Sequence, residues 1–259
     1  MGIVNVTPDS FSDGGKFERP DAALAHARAL IAAGADVLDI GGESTRPGAE
    51  PVGVEAELSR TIPLIRAIRA ESAIPLSIDT AKPEVARAAV TAGATLWNDV
   101  TALRSPGAVD IAAELGCAVV LMHMQGEPHT MQDDPHYDDV VAEVSAFLTT
   151  RAEAAVTAGV SRDKISLDPG IGFGKTAQHN LALISALPRL VALGYPVVFG
   201  ASRKRTIRAL DPTAIEPTDR LGGSIALALA AADRGAAVIR VHDVRETVQA
   251  LAIWAALPT

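Results

Sequence analysis

Short apolar runs alternate with longer Ala-rich stretches in which hydrophobic residues recur at helical spacing, and this alternation fills the whole chain. Helical patterns end on glycine at Gly34, Gly93, Gly116, Gly159, Gly194 and Gly235, where a left-handed residue terminates a helix most easily. The runs that follow cover 37–40, 95–98, 118–122, 164–167, 197–199 and 237–241. They are short and mostly apolar, as strands covered on both faces should be. Residues 2–6 and the run 75–78 after a helix at 55–71 bring the predicted strands to eight. Strands that alternate with helices make a parallel sheet, and eight such units close into a (β/α)8 TIM barrel. The expectation is an α/β fold with one domain over 1–259, with no linker or low-complexity segment. An open doubly wound sheet is the second arrangement, but no Gly-rich dinucleotide turn follows the first run. In the last helix, Val244, Val248, Leu251 and Ala255 are spaced as a face toward the barrel, and Ile253 with Trp254 adds a second apolar surface that suits a partner copy.

Polar residues stand where these runs end: Asn5, Asp39, Asp79, Asn98-Asp99, His123, Asp168, Ser202-Arg203-Lys204, and Arg240 with His242-Asp243. In a barrel the carboxyl ends of the strands build the active site, so these groups gather at one rim. An Asp or Asn after a strand also caps helices and makes turns. That reading suits any one of them better than it suits all eight. The same rim carries the long connections 7–20, 41–54, 124–138 and 202–218, longer than a compact domain needs unless they bind or cover something.

The segment Asn5-Val6-Thr7-Pro8-Asp9-Ser10-Phe11-Ser12-Asp13 is dense in oxygen donors. Asn5 and Asp13 suit a Mg²⁺ ion shared with phosphate oxygens, and a solvated loop would have the same composition. Arg46, in a glycine- and hydroxyl-rich turn, has the planar fork that fits phosphate. Arg240 and His242, two residues apart at a strand end, could complete such an anion pocket, or His242 could be an ordinary hydrogen-bonded histidine. Gly174-Lys175-Thr176 matches the end of a nucleotide phosphate loop, but Pro169 stands where that motif opens on glycine, so the nucleotide reading fails. Asp79 and Asp168 can accept paired donors from a guanidine-like edge, Asn98 can donate and accept, and Lys204 can reach a carbonyl or ring nitrogen opposite. Together they describe a pocket for a flat, donor-rich heterocycle. His123, His129 and His136 match no common zinc spacing.

Composition narrows the function further. With 48% hydrophobic and 21% charged residues, the chain is not disordered. Lys and Arg number 23 against 31 Asp and Glu, for a net charge of −8, so no overall charge attracts nucleic acid or an anionic membrane. The single Cys117 excludes an intrachain disulfide framework and a Cys-rich zinc site. No charge-free apolar stretch is long enough to span a bilayer, and a cytoplasmic protein is expected.

The ordered motifs resemble the dihydropteroate synthase family of pterin-binding TIM barrels over the whole chain. The resemblance rests on residues 5–15 and 41–48, Ser77-Ile78-Asp79-Thr80, Asn98-Asp99, Met122-His123-Met124-Gln125-Gly126, residues 168–175, Ser202-Arg203-Lys204 and Arg240-Val241-His242-Asp243. It implies a transferase of folate biosynthesis that joins 7,8-dihydropterin-6-ylmethyl diphosphate to 4-aminobenzoate, with Mg²⁺, in a homodimer. It also implies that Asp79, Asn98, Asp168 and Lys204, with Met122 beside them, hold the pterin. Asn5, Arg46, Arg240 and His242 would take the diphosphate, with Asp13 assisting the metal. Thr45, Pro47, Phe173 and Arg205 would border the aminobenzoate, and Asp79, Asp168, Lys204, Arg240 and His242 would carry the chemistry. Two departures stand out: many relatives have Ser in place of Arg205, and relatives carry residues before the first strand, so a short first strand is expected here. A pterin-dependent methyltransferase barrel and a non-catalytic pterin-binding protein are the competing readings.

Overall fold

A computed structural model describes residues 1–7, 19–44, 48–127 and 130–257. The strands β1 (Gly2–Asn5), β2 (Leu38–Gly41), β3 (Leu76–Asp79), β4 (Leu96–Asp99), β5 (Ala118–Met122) and β6 (Ile165–Asp168) form one parallel sheet in chain order. A parallel pair, β7 (Val198–Phe199) and β8 (Val238–Ile239), completes the set. Single bridges from Leu167 to Val197 and from Gly2 to Val241 join the two sheets on both sides and close the ring. The eight-stranded barrel expected from the alternation is therefore the fold. Closure removes sheet edges that would otherwise pair with other chains.

Helices α1 (Arg19–Ala32), α2 (Val54–Glu71), α3 (Pro83–Ala92), α4 (Ala108–Leu115) and α5 (Val140–Ala158) follow the first five strands. Then come α6 (Ala177–Ser185), α7 (Leu187–Val191), α8 (Arg205–Leu210), α9 (Leu221–Asp233) and α10 (Val244–Ala256). The helix-ending glycines all have positive φ; Gly93, at +116°, donates its N–H back to the carbonyl of Val90 at 3.0 Å. Core side chains such as Leu38, Ile40, Ile65, Leu76, Ile78, Trp97, Leu121 and Ile165 are fully buried between strands and helices. Trp97 Nε1 also donates to Thr80 O at 2.7 Å, so this indole is core with its polar atom satisfied.

The structure corrects several boundaries. β2, β3, β4 and β6 each end one residue later than the apolar run, on Gly41, Asp79, Asp99 and Asp168, because ladder pairing continues past the last hydrophobic residue. β8 is only two residues long, although Val241 still bridges to Gly2. β1 has four residues, as many as β2, and is not shortened relative to it. The connection 202–218 contains α8. The expected barrel-facing stripe of α10 is corrected too: Val244 and Thr247 are buried, whereas Val248 and Ala255 are exposed. Among the described residues, no helix is long and apolar enough to cross a membrane.

Candidate active site

The strand register fixes the rim before any side chain is considered. Asn5 pairs with Gly41, Gly41 with Asp79, and Asp79 with Asn98, while Met122 pairs with Asp168. Residues far apart in sequence thus stand side by side at the carboxyl end of the barrel. Asp79, Asn98, Val100, Met122, Asp168, Phe173, Gly200, Lys204 and Arg240 line one cleft at this rim. Each pterin residue expected from the sequence lies in it. Val100 and Gly200, which the sequence did not single out, complete the wall.

Arg240 organises the floor. Its Nε donates to Asp39 Oδ2 at 2.6 Å and its NH2 group to Asp79 Oδ2 at 2.7 Å. Asn98 Nδ2 donates to the same Asp39 oxygen at 3.0 Å. Asp39 is fully buried, and the sequence had marked it only as a strand end. The other oxygens, Asp39 Oδ1 and Asp79 Oδ1, are buried without a hydrogen-bond partner. A buried acceptor left unmatched is unfavourable until a donor arrives, so Asp79 presents the cleft with an open acceptor. Burial raises the affinity of Asp79 for protons, against the pull of Arg240. Burial also works against the charge of Arg240, but Asp39 and Asp79 outweigh it and hold the guanidinium protonated.

This arrangement adds to what the sequence says of Arg240. Besides the anion role expected for it with His242, it lines the same cleft as Asp79 and is bonded to it. The partners are 161 and 201 residues away in sequence, a distance that no local motif can report. His242 does not line the cleft; its N–H and Nδ1 both lie on Ser202 Oγ, at 3.2 and 3.0 Å.

Asp168, at the end of β6, accepts the backbone N–H of Gly170 at 2.7 Å. Burial pushes its proton affinity up, and Lys204 opposes that shift most strongly. Lys204 is held down to about 8 by burial against the attraction of Asp168. Its Nζ donates to Ile171 O and lies 4.3 Å from the centre of the Phe173 ring, a cation–π contact. The turn 170–174 therefore forms one wall, with Phe173 and Lys204 on its cleft side.

Asn5 ends β1, and Arg205 is exposed in the first turn of α8. Asp13, Thr45, Arg46, Pro47 and His129 lie outside the described residues. His123 is buried against Tyr137 and Phe147 and His136 is exposed, and among the described residues no group of His, Cys, Asp and Glu could hold a metal by itself.

A family model described as pterin binding enzyme matches residues 1–242. Dihydropteroate synthase of Escherichia coli K12 is 49% identical over 253 residues, covering 98% of this chain and 89% of its own. Among solved structures, the Xanthomonas albilineans dihydropteroate synthase with 4-aminobenzoic acid superposes with a TM-score of 0.93 at 56% identity, covering 100% of this chain and 93% of that one. The Yersinia pestis dihydropteroate synthase in a sulfonamide drug complex gives 0.93 at 46% identity, covering 99% and 92%. A closed barrel with this rim, matched over nearly its full length, belongs to the dihydropteroate synthase family of pterin-binding enzymes.

Proposed function

We propose that the cleft takes the pterin of 7,8-dihydropterin-6-ylmethyl diphosphate edge-on. The chain condenses this substrate with 4-aminobenzoate to 7,8-dihydropteroate and pyrophosphate, a transferase step of folate biosynthesis. The observation that carries the residue assignment is the gathering of acceptors in one cleft: Asp79 with a buried, unpartnered oxygen, Asn98 and Asp168, faced by Lys204. Asp79 and Asp168 receive the donor edge of the pterin, Asn98 bridges, Lys204 reaches the ring acceptors, and Met122 and Phe173 pack on the ring.

The reaction proceeds by dissociation. The C9–oxygen bond to diphosphate breaks first, the pterin-methyl cation is delocalised into the ring, and the arylamine nitrogen then forms the C9–N bond and loses a proton. An ionised Asp168 in a desolvated cleft stabilises that cation more strongly than it stabilises the neutral precursor. Arg240 faces the departing diphosphate once the pterin has taken its place on Asp79, and Asn5 and His242 join it. Arg46 belongs to the same set, and Thr45, Pro47, Phe173 and Arg205 border the aminobenzoate, whose carboxylate Arg205 attracts. The assay is direct: pterin diphosphate, 4-aminobenzoate and Mg²⁺ should yield dihydropteroate and pyrophosphate in equal amounts. No product, or binding without turnover, would contradict this reading.

The donors fit one Mg²⁺ ion held mainly by substrate. A Cβ placed on Gly41 would lie 3.7 Å from Asn5 Oδ1 and 3.8 Å from Asp79 Oδ2, so bare backbone keeps room beside two hard oxygens. Asn5 and Asp13 would hold the ion, with diphosphate and water as its other ligands. The ion supplies charge neutralisation on the leaving group. Full activity in excess chelator would contradict its involvement.

A second copy of the chain is our reading of the α9–α10 surface, where Ile225, Leu229, Ile253, Trp254 and Leu257 line an open apolar groove. Ile253 is 63% exposed, and twofold dimers commonly cover such faces. Sedimentation should give a dimer at micromolar concentration, and a monomer alone would reject it. The buried, reduced Cys117 suits a cytoplasmic enzyme.

A further inference from the structure

The turn that carries Phe173 is followed by a lysine that pterin recognition leaves unused. Lys175 is only 3% exposed. Its Nζ lies 2.9 Å from His123 Nδ1, 3.0 Å from Phe173 O, 3.1 Å from Gly170 O and 3.3 Å from His123 O. An ammonium has hydrogens to donate and no lone pair, so all four atoms are acceptors and His123 Nδ1 carries no proton. Burial and the Lys175 charge hold His123 down at about 3, which keeps the ring neutral. Burial also lowers Lys175 to about 7, Lys204 adding to the shift and Asp168 opposing it. Among the described residues Lys175 makes no ion pair; its nearest aromatic neighbour is Tyr137, whose ring centre is 6.0 Å from Nζ. A buried cation held mostly by neutral carbonyls is expensive to retain.

Two of those carbonyls, Gly170 O and Phe173 O, are the two ends of the turn. Phe173 N–H also donates to Gly170 O at 3.1 Å, closing it. One face of the turn is wedged against the segment that follows β5: a Cβ on Gly170 would fall 1.9 Å from His123 O, and one on Gly174 would fall 2.4 Å from Gln125 O. The other face meets Lys204, whose Cδ is 3.1 Å from a Cβ placed on Gly172. Lys175 is thus the internal tie of a segment that presents Phe173 and Ile171 O to Lys204.

We propose that Lys175 is a positioning residue for the pterin subsite, tying the Gly170–Phe173 turn to His123 so that Phe173 and Lys204 meet the ring at the right height. This rests on the reading of the cleft as the pterin site. Lys175 also bears on Asp168, whose proton affinity burial raises while Lys204, the Gly170 N–H, Arg240 and Lys175 pull against that shift. Removing one of these cations raises the proton affinity of Asp168 further.

Lys175→Met keeps the length and apolar stem and removes every donor. Steady-state kinetics well below the variant's own melting temperature should show KM for the pterin diphosphate raised, or kcat lowered, by about tenfold or more, as sub-ångström misplacement does. KM for 4-aminobenzoate, whose pocket Phe173 also borders, should rise by a smaller factor, and the acid limb of kcat/KM should move to higher pH. His123→Phe, which keeps ring packing and removes one acceptor, should shift the same constants in the same direction by less. Wild-type constants and pH profile in Lys175→Met would overturn the proposal however far the melting temperature falls, and so would equal losses for both substrates. If Lys175→Met does not fold, the His123→Phe kinetics decide: the pterin-selective shift supports the tie and unchanged constants reject it. Turnover by wild-type protein in parallel keeps this test separate from that of the reaction itself.

Discussion

The barrel has two unequal arcs. The arc β1–β6 is a continuous ladder, and it delivers Asp79, Asn98, Met122 and Asp168 from within its strands. The arc β7–β8 consists of two two-residue strands attached by single bridges, and it delivers Lys204, Arg240 and His242 from the segments that follow them. Acceptors are therefore set on the rigid side and cations on the side with less backbone pairing. On the proposed reading the acceptors match a fixed pattern of ring donors and the cations also serve the diphosphate. Arg240 is bonded to Asp39 and Asp79.

The sharpest break in this comparison is Asp168→Asn on the rigid arc. It keeps size but replaces an acceptor with a donor and removes the charge facing the cation. Loss of about 1–3 kcal/mol or more of transition-state stabilisation is expected, roughly two orders of magnitude in kcat/KM, with circular dichroism and melting unchanged. Near-normal turnover in a folded variant would make Asp168 only a turn former.

On the cationic arc the first effect is on stability. Arg240→Ala leaves Asp39 and Asp79 buried without their cation, and breaking such a pair costs about 3 kcal/mol. The sign with pH follows from proton binding. Burial already raises the proton affinity of Asp79, and without the opposing guanidinium this carboxylate binds a proton still more readily when folded than when unfolded, so the variant loses stability as pH rises. Urea melts at several pH values should show the gap to wild type widening upward; a gap that narrows would mean that Arg240 does not neutralise them.

The wild-type activity profile sharpens the contrast. On the alkaline side, kcat/KM should fall as pH rises through about 8, where Lys204 loses its proton. On the acid side it should fall as Asp79 and Asp168, both raised by burial, take protons up. Lys204→Met should flatten the alkaline limb and move the acid limb to higher pH, because Lys204 opposes the raised proton affinity of Asp168 most strongly. The smallest effect concerns ring selectivity: packing on Phe173 discriminates weakly between rings of one width. Sulfonamides should therefore compete with 4-aminobenzoate, with an inhibition constant within about tenfold of its KM, and a non-competitive pattern would place the two in different pockets.

The rigid arc was the more legible in the sequence. An apolar run ending in Asp or Asn states both the strand and its functional residue, which is why Asp79, Asn98 and Asp168 were found where they lie. The cationic arc was read less well because its roles depend on partners across the barrel. Arg240 looked like half of a local anion pair with His242, while its actual partners come from β2 and β3. Asp39 was seen as a strand end and not as the buried acceptor shared by Arg240 and Asn98. Lys175 was set aside with the failed nucleotide motif, although a lysine closing a run of three spaced glycines is itself a sign of tight backbone packing. In α10, helical spacing alone could not say that Val248 and Ala255 stay exposed while Thr247 is buried.

The central claim is that the rigid arc, together with Lys204, reads the pterin, and that Arg240 and His242 on the cationic arc add the diphosphate. Calorimetry with 7,8-dihydropterin-6-ylmethyl diphosphate and with the corresponding pterin alcohol, on wild type, Asp168→Asn and His242→Ala, tests it most directly. Asp168→Asn should lose affinity for both ligands by the same factor, and His242→Ala should lose affinity for the diphosphate alone. Equal losses for both ligands in His242→Ala, or a loss limited to the diphosphate in Asp168→Asn, would contradict it.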